Sequence, residues 1–86
     1  MSRFRVAIQV IPRRGLLDPQ GKAVAEALST LGFAGVSNVH VGRHLELDVE
    51  SPSESTARAL AGDMCARLLA NPVTEDYEIA SVVAAP

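Results

Sequence analysis

Residues 3–11 alternate, with Phe4, Val6, Ile8 and Val10 on one side and Arg3, Arg5, Ala7 and Gln9 on the other. A period of two predicts a strand with one buried face, and Pro12 ends it. After the short loop Arg13-Arg14-Gly15-Leu16-Leu17, Asp18-Pro19 predicts a helix start. Aspartate caps unpaired N–H groups there, and proline at the first helical position forfeits no hydrogen bond. The helix is expected to run to about Leu31 and to bury Val24, Ala27, Leu28 and Leu31, with Gly32 as its left-handed C-terminal residue.

Two further strands are expected at Val36–Val41 and Leu45–Val49, the second alternating Leu45, Leu47 and Val49 against Glu46, Asp48 and Glu50. Keeping Val41 and Leu45 on one face predicts a three-residue loop, Gly42-Arg43-His44, between them. After Ser51-Pro52-Ser53-Glu54, the residues Ala57, Leu60, Ala61, Met64, Cys65, Leu68 and Leu69 fall at helical spacing, and Asn71-Pro72 stops the helix. Tyr77–Val83 is expected as a last strand. The order βαββαβ predicts an α+β, ferredoxin-like sandwich: a four-stranded antiparallel sheet in order 4-1-3-2 with two helices on one face. Pairing the first and third strands so that residue numbers sum to 53 sets Phe4, Val6 and Ile8 opposite Val49, Leu47 and Leu45. The same register sets Arg3 opposite Glu50 and Arg5 opposite Asp48.

At 86 residues the chain is one domain, 1–86, and a core this small gains from a partner. With no Trp, one Tyr, two Phe and a net charge of −2, it lacks both the stacking platforms and the basic field of a nucleic-acid binder. No apolar run approaches the ~18 residues of a membrane span, and the lone Cys65 fits a reducing, cytoplasmic setting. Charge is uneven: residues 1–45 carry net +4 and the remainder −6. Such asymmetry is either internal matching of elements or a polarised docking surface.

Candidate chemistry is sparse. His40 and His44 lie across a turn, and Glu46 is the only further metal ligand nearby, so both read as solvated turn residues. Cys65 sits on an apolar helical stripe without a base and reads as core. No nucleophile elbow, P-loop or dinucleotide fingerprint is present. Arg13 and Arg14 before a helix start suggest an anion site, but Asp18 would occupy the same N–H groups and repel an anion. Two islands carry features that local structure does not require. In the first, Asp18, Gln20 and Gly21, the costly helical Gly21 suggests that another backbone or chain approaches closely. In the second, Asn71, Glu75, Asp76 and Tyr77, an acidic cluster surrounds the only tyrosine, a frequent interface anchor.

Gly-Leu-Leu-Asp-Pro-Gln-Gly at 15–21 and Leu-Leu-Ala-Asn-Pro-Val-Thr-Glu-Asp-Tyr at 68–77 carry a resemblance, together with Leu-Gly-Phe at 31–33, Val-Gly-Arg at 41–43 and Met-Cys at 64–65. Over almost its whole length the chain resembles the family of the small PurS subunit of phosphoribosylformylglycinamidine synthase. Arg43 and Thr74 stand where that family more often has Lys and an aliphatic residue. The resemblance implies a non-catalytic, cytoplasmic subunit of an enzyme of purine biosynthesis, with no catalytic, cofactor or metal site of its own. In that family a glutaminase subunit supplies ammonia to a large synthetase subunit, which uses ATP, and with it Mg. The small subunit is a homo-oligomer, dimer or tetramer, that bridges the two. The islands Asp18, Gln20, Gly21 and Asn71, Glu75, Asp76, Tyr77 are the expected partner contacts. The alternative reading is a ferredoxin-like module that binds a small effector in an apolar cleft.

Overall fold

The computed structural model describes all 86 residues. Five regular elements follow one another: β1 (Ser2–Pro12), α1 (Pro19–Thr30), β2 (Arg43–Ser51), α2 (Glu54–Met64) and β3 (Glu75–Ala84). A π-helical turn, Cys65–Leu69, continues α2. β1 is the central strand of a three-stranded antiparallel sheet in order β2-β1-β3.

The β1/β2 register is the one that alternation predicts. Arg3 lies opposite Glu50, Phe4 opposite Val49, Arg5 opposite Asp48, Val6 opposite Leu47 and Ile8 opposite Leu45. Both charge pairs form on the outer face, Arg3 to Glu50 at 3.8 Å and Arg5 to Asp48 at 3.1 Å. Being exposed, they guard register more than they add stability. On the inner face Val6, Ile8 and Val10 are fully buried, each contributing about 1.5–3 kcal/mol. α2 can lie close over them because it presents the small residues Ala57, Ala61 and Cys65, all wholly buried.

The expected four-stranded sheet is not formed. Residues 36–42 make no strand, so the sheet lacks the second of the four predicted strands. Local chemistry explains the loss. Gly35 and Asn38 hold positive φ, 92° and 56°, which interrupts an extended run. The N–H of Val41 donates to Asp18 Oδ2 at 2.9 Å instead of to a neighbouring strand. No hairpin therefore spans Gly42-Arg43-His44; Arg43 and His44 already belong to β2, opposite Val10 and Gln9.

The arrangement of helices also differs from two on one face. α2 packs against all three strands, whereas α1 has no comparable packing on any other element. Of its expected buried stripe, Val24, Ala27 and Leu31 are exposed and Leu28 is only half-buried. Residues 13–42 thus form an arm off one end of the sheet. The molecule measures 52 × 28 × 14 Å, with a radius of gyration of 16.5 Å where a compact chain of this length has about 12 Å. The last strand, β3, pairs with β1 of its own chain.

Candidate assembly surface

The first island is built around one carboxylate. Asp18 precedes α1 in extended conformation, and its Oδ1 accepts the Gly21 N–H at 3.1 Å as a helix cap. Its Oδ2 accepts the Val41 N–H at 2.9 Å, and His40 Nδ1 stands 3.8 Å away. With only 9% of the side chain exposed, Asp18 ties the start of the arm to its end. The Val41 and Gly21 N–H groups hold its carboxyl below the ordinary value. Gly21 is buried, and a Cβ there would overlap the Val39 carbonyl oxygen and stand 2.8 Å from the carbonyl carbon. The close approach inferred at Gly21 is thus met by the chain's own backbone. Gln20 is exposed at the head of α1.

The second island is a knot of backbone and side-chain bonds. Asn71 Oδ1 accepts from the Val73 N–H at 3.0 Å, and the Asn71 carbonyl accepts from Glu75 N at 2.8 Å. Glu75 Oε1 accepts the Asn71 N–H at 2.8 Å and also Arg43 at 2.8 Å, while the same Arg43 nitrogen donates to the Leu69 carbonyl at 3.0 Å. Asp76 accepts from Arg13 Nε at 3.2 Å. Tyr77 remains 43% exposed beside Gly62 of α2.

The fold brings the two islands together. A groove of about 350 Å³ is lined by Leu16, Leu17, Asp18, Pro19 and Gln20 from one and by Thr74 and Glu75 from the other. A neighbouring cavity of about 220 Å³ lies under Arg13 and Tyr77 and reaches Cys65. Burial raises the Cys65 thiol pKa, so the group behaves there as a small apolar side chain. His44 lies 3.5 Å from Glu46, and His40 faces Asp18 instead of His44. No group of three His, Cys, Asp or Glu is disposed to hold a metal ion. No helix is long and apolar enough to cross a membrane.

Arg13 and Arg43 are the functional candidates that sequence reasoning passed over, one weighed only for an anion site that Asp18 opposes and the other placed in a turn. The signal was the charge asymmetry. Of the six bases in residues 1–45, Arg3, Arg5, Arg13 and Arg43 pair with Glu50, Asp48, Asp76 and Glu75 of the acidic half. The asymmetry is therefore largely internal matching.

A small α+β domain whose polar residues converge on backbone ties and an exposed tyrosine, with an arm held off its own core, has the properties of a subunit made for assembly. Comparison with known proteins gives the particular family. The family model of PurS, phosphoribosylformylglycinamidine (FGAM) synthase, matches residues 5–82, and the chain belongs to that family. It is 45% identical over 74 residues to the FGAM synthase subunit PurS of Synechocystis, covering 86% of this chain and 74% of that one. It is 40% identical over 83 residues to the Bacillus subtilis PurS subunit, covering 94% and 98%. Among solved structures, Thermus thermophilus PurS superposes with a TM-score of 0.82 at 37% identity, covering 98% and 99%. A chain of the PurLQS structure from Thermotoga maritima does so with 0.81 at 30%, covering 99% and 100%.

Proposed function

We propose that this chain is the non-catalytic bridging subunit of an FGAM synthase, working in the complex that converts formylglycinamide ribonucleotide to its amidine in purine biosynthesis. The carrying observation is the family match over residues 5–82, joined to the likeness with a chain of the Thermotoga maritima PurLQS structure over nearly the full length of both. In this reading a glutaminase partner releases ammonia, and a large synthetase partner binds ATP and Mg and activates the substrate amide. The small chain binds no cofactor and performs no bond-making step. It contributes binding surface, and the joined islands, with Asp18, Gln20, Gly21, Asn71, Glu75, Asp76 and Tyr77, are where the partners dock. The comparisons lend no support to the effector-binding alternative.

The working form is a homo-oligomer. The arm supports this reading, because Leu31 and Phe33 are 73% and 58% exposed and α2 leaves Leu60, Met64 and Leu68 uncovered by α1. Leaving such surface in water is costly, at about 25 cal/mol per Å² of apolar area. A second copy offers an uncovered helix face to this arm and an arm to this face, the reciprocal exchange that makes closed dimers inexpensive. The last strand takes no part in such an exchange, because β3 pairs with β1 of its own chain. The test is co-purification with the glutaminase and synthetase subunits in the presence of glutamine and ADP, with light scattering on the isolated chain. Retention of all three subunits and an oligomeric mass are expected. Failure to bind either partner, or a stable monomer at micromolar concentration, would overturn the corresponding half.

A further inference from the structure

The arm leaves the sheet through two chain crossings, Pro12 to Arg13 and Gly42 to Arg43, and each is marked by an arginine. Both arginines are bonded to the segment that leads from the end of the α2 region into β3, including the first two residues of β3. Arg13 donates Nε to Asp76 at 3.2 Å, and its backbone N–H donates to the Thr74 carbonyl at 2.9 Å. Arg43 donates to Glu75 at 2.8 Å and to the Leu69 carbonyl at 3.0 Å. Glu75 in turn holds the Asn71 N–H, so the connection is fixed from inside as well. α1, by contrast, is not seated on the sheet. Within one chain, the bonds of these two arginines are the side-chain polar contacts at the base of the arm that reach the α2–β3 region.

The geometry points to Arg13 and Arg43 as positioning residues: with Asp76 and Glu75 they form a two-arginine clamp that fixes the angle of the arm 13–42 relative to the sheet. The inference deepens the reading of the arm as a docking element. The chemistry suits the task. A guanidinium is a planar donor of fixed shape, so pairing it with carboxylates and a carbonyl restrains direction as well as distance. Two such restraints on opposite crossings of one arm remove the rotation that a single one would leave. A partner that engaged Glu75 or Asp76 with its own cations would loosen the arm, so partner docking and arm direction are coupled here.

The experiment needs no partner subunit, so its failure is distinct from failure of the functional reading. Nitroxide labels at Ser2→Cys and Ser29→Cys, in a Cys65→Ala background, report the distance from the far end of β1 to α1 by pulsed electron resonance. Full-length labelled protein is diluted with unlabelled chain so that only distances within one chain are read. The clamp predicts a narrow distribution that shifts or broadens in Arg13→Ala/Arg43→Ala and in the milder Asp76→Asn, while circular dichroism remains native. The charge-exchanged pair Arg13→Asp/Asp76→Arg should narrow it again, and high salt should broaden the parent, because the Arg13–Asp76 pair is exposed. Arg3→Ala, which breaks a pair remote from the hinge, should leave it unchanged. An unaltered distribution in the Asp76→Asn and double-alanine proteins, or equal broadening in Arg3→Ala, would overturn the clamp.

Discussion

Gly21→Ala isolates the join between the two ends of the arm, because helix propensity and the structure predict opposite signs for it. In an isolated helix the change is favourable by about 0.5–1 kcal/mol, since alanine loses less backbone freedom than glycine. Here the new methyl would stand 2.8 Å from the Val39 carbonyl carbon and 2.8 Å from Asp18 Oδ2, and would overlap the Val39 oxygen. Ordinary carbon contacts lie near 3.5–4.0 Å, so the carbonyl carbon alone requires the 39–41 segment to retreat by about 0.7–1.2 Å, and the tighter overlap with the Val39 oxygen requires more. Backbone cannot yield as a side-chain tip can, and such overpacking costs about 1–3 kcal/mol. Because the obstacle is backbone, the cost lies toward the upper end, about 2–3 kcal/mol, and a propensity gain of about 1 kcal/mol leaves a net destabilisation of about 1–2 kcal/mol, confined to the arm because α1 is not packed on the sheet. The retreat also pulls the Val41 N–H from Asp18, where it now bonds at 2.9 Å. Native-state hydrogen exchange should therefore show Val41 protection falling by about 5–30-fold while Val6 and Ile8 amides in β1 keep theirs. Denaturant unfolding should be compared at one fixed protein concentration, because an oligomer's stability depends on it. Equal or greater stability with Val41 still protected would refute the close approach of Val39.

Tyr77→Ala should leave the isolated chain folded and weaken capture of the partner subunits by about 1–2 kcal/mol, measured by titration, because an exposed aromatic at the joined islands is a strong anchor. Cys65→Ala should cost about 1 kcal/mol of stability, the loss of one small core group, and leave complex activity nearly intact. Consistently, burial raises the thiol pKa, so iodoacetamide at pH 8 should label Cys65 only after denaturation. The Asp18 carboxyl lies below its ordinary value of 3.8, so the stability it lends the arm is present above that value and is lost as pH falls through the lower folded-state pKa. Acid titration followed by NMR should show the Val41 amide signal shifting in that acidic window.

Strand alternation made the central register legible: Phe4, Val6 and Ile8 can face inward together opposite Val49, Leu47 and Leu45 in only one pairing, and that pairing forms. The small residues Ala57, Ala61 and Cys65 likewise marked the face that α2 buries. The missing strand was not legible, because Val36, Val39 and Val41 satisfy strand propensity while the deciding event is remote. Asp18, about twenty residues earlier, takes the Val41 N–H, and Asn38 turns to positive φ. Helical periodicity in α1 showed an apolar stripe at Val24, Leu28 and Leu31 but not what would cover it. A stripe records that a face is to be buried, and the burying surface can belong to another chain. The islands at 15–21 and 68–77 stood out through Gly21 and the Glu75-Asp76-Tyr77 run, yet their convergence on one groove, and the pairing of Arg13 and Arg43 with Asp76 and Glu75 beside it, join residues far apart along the chain.

The bridging role is tested most directly by comparing two nitrogen sources with purified glutaminase and synthetase subunits, with and without this chain. With ammonium salts, amidine formation should proceed at a similar rate in both mixtures, because the synthetase carries the ATP-dependent chemistry. With glutamine, it should depend on the chain, rise to saturation as the chain is added, and fall for Tyr77→Ala. Full glutamine-dependent synthesis in the chain's absence, or no gain on adding it to competent partners, would contradict the account.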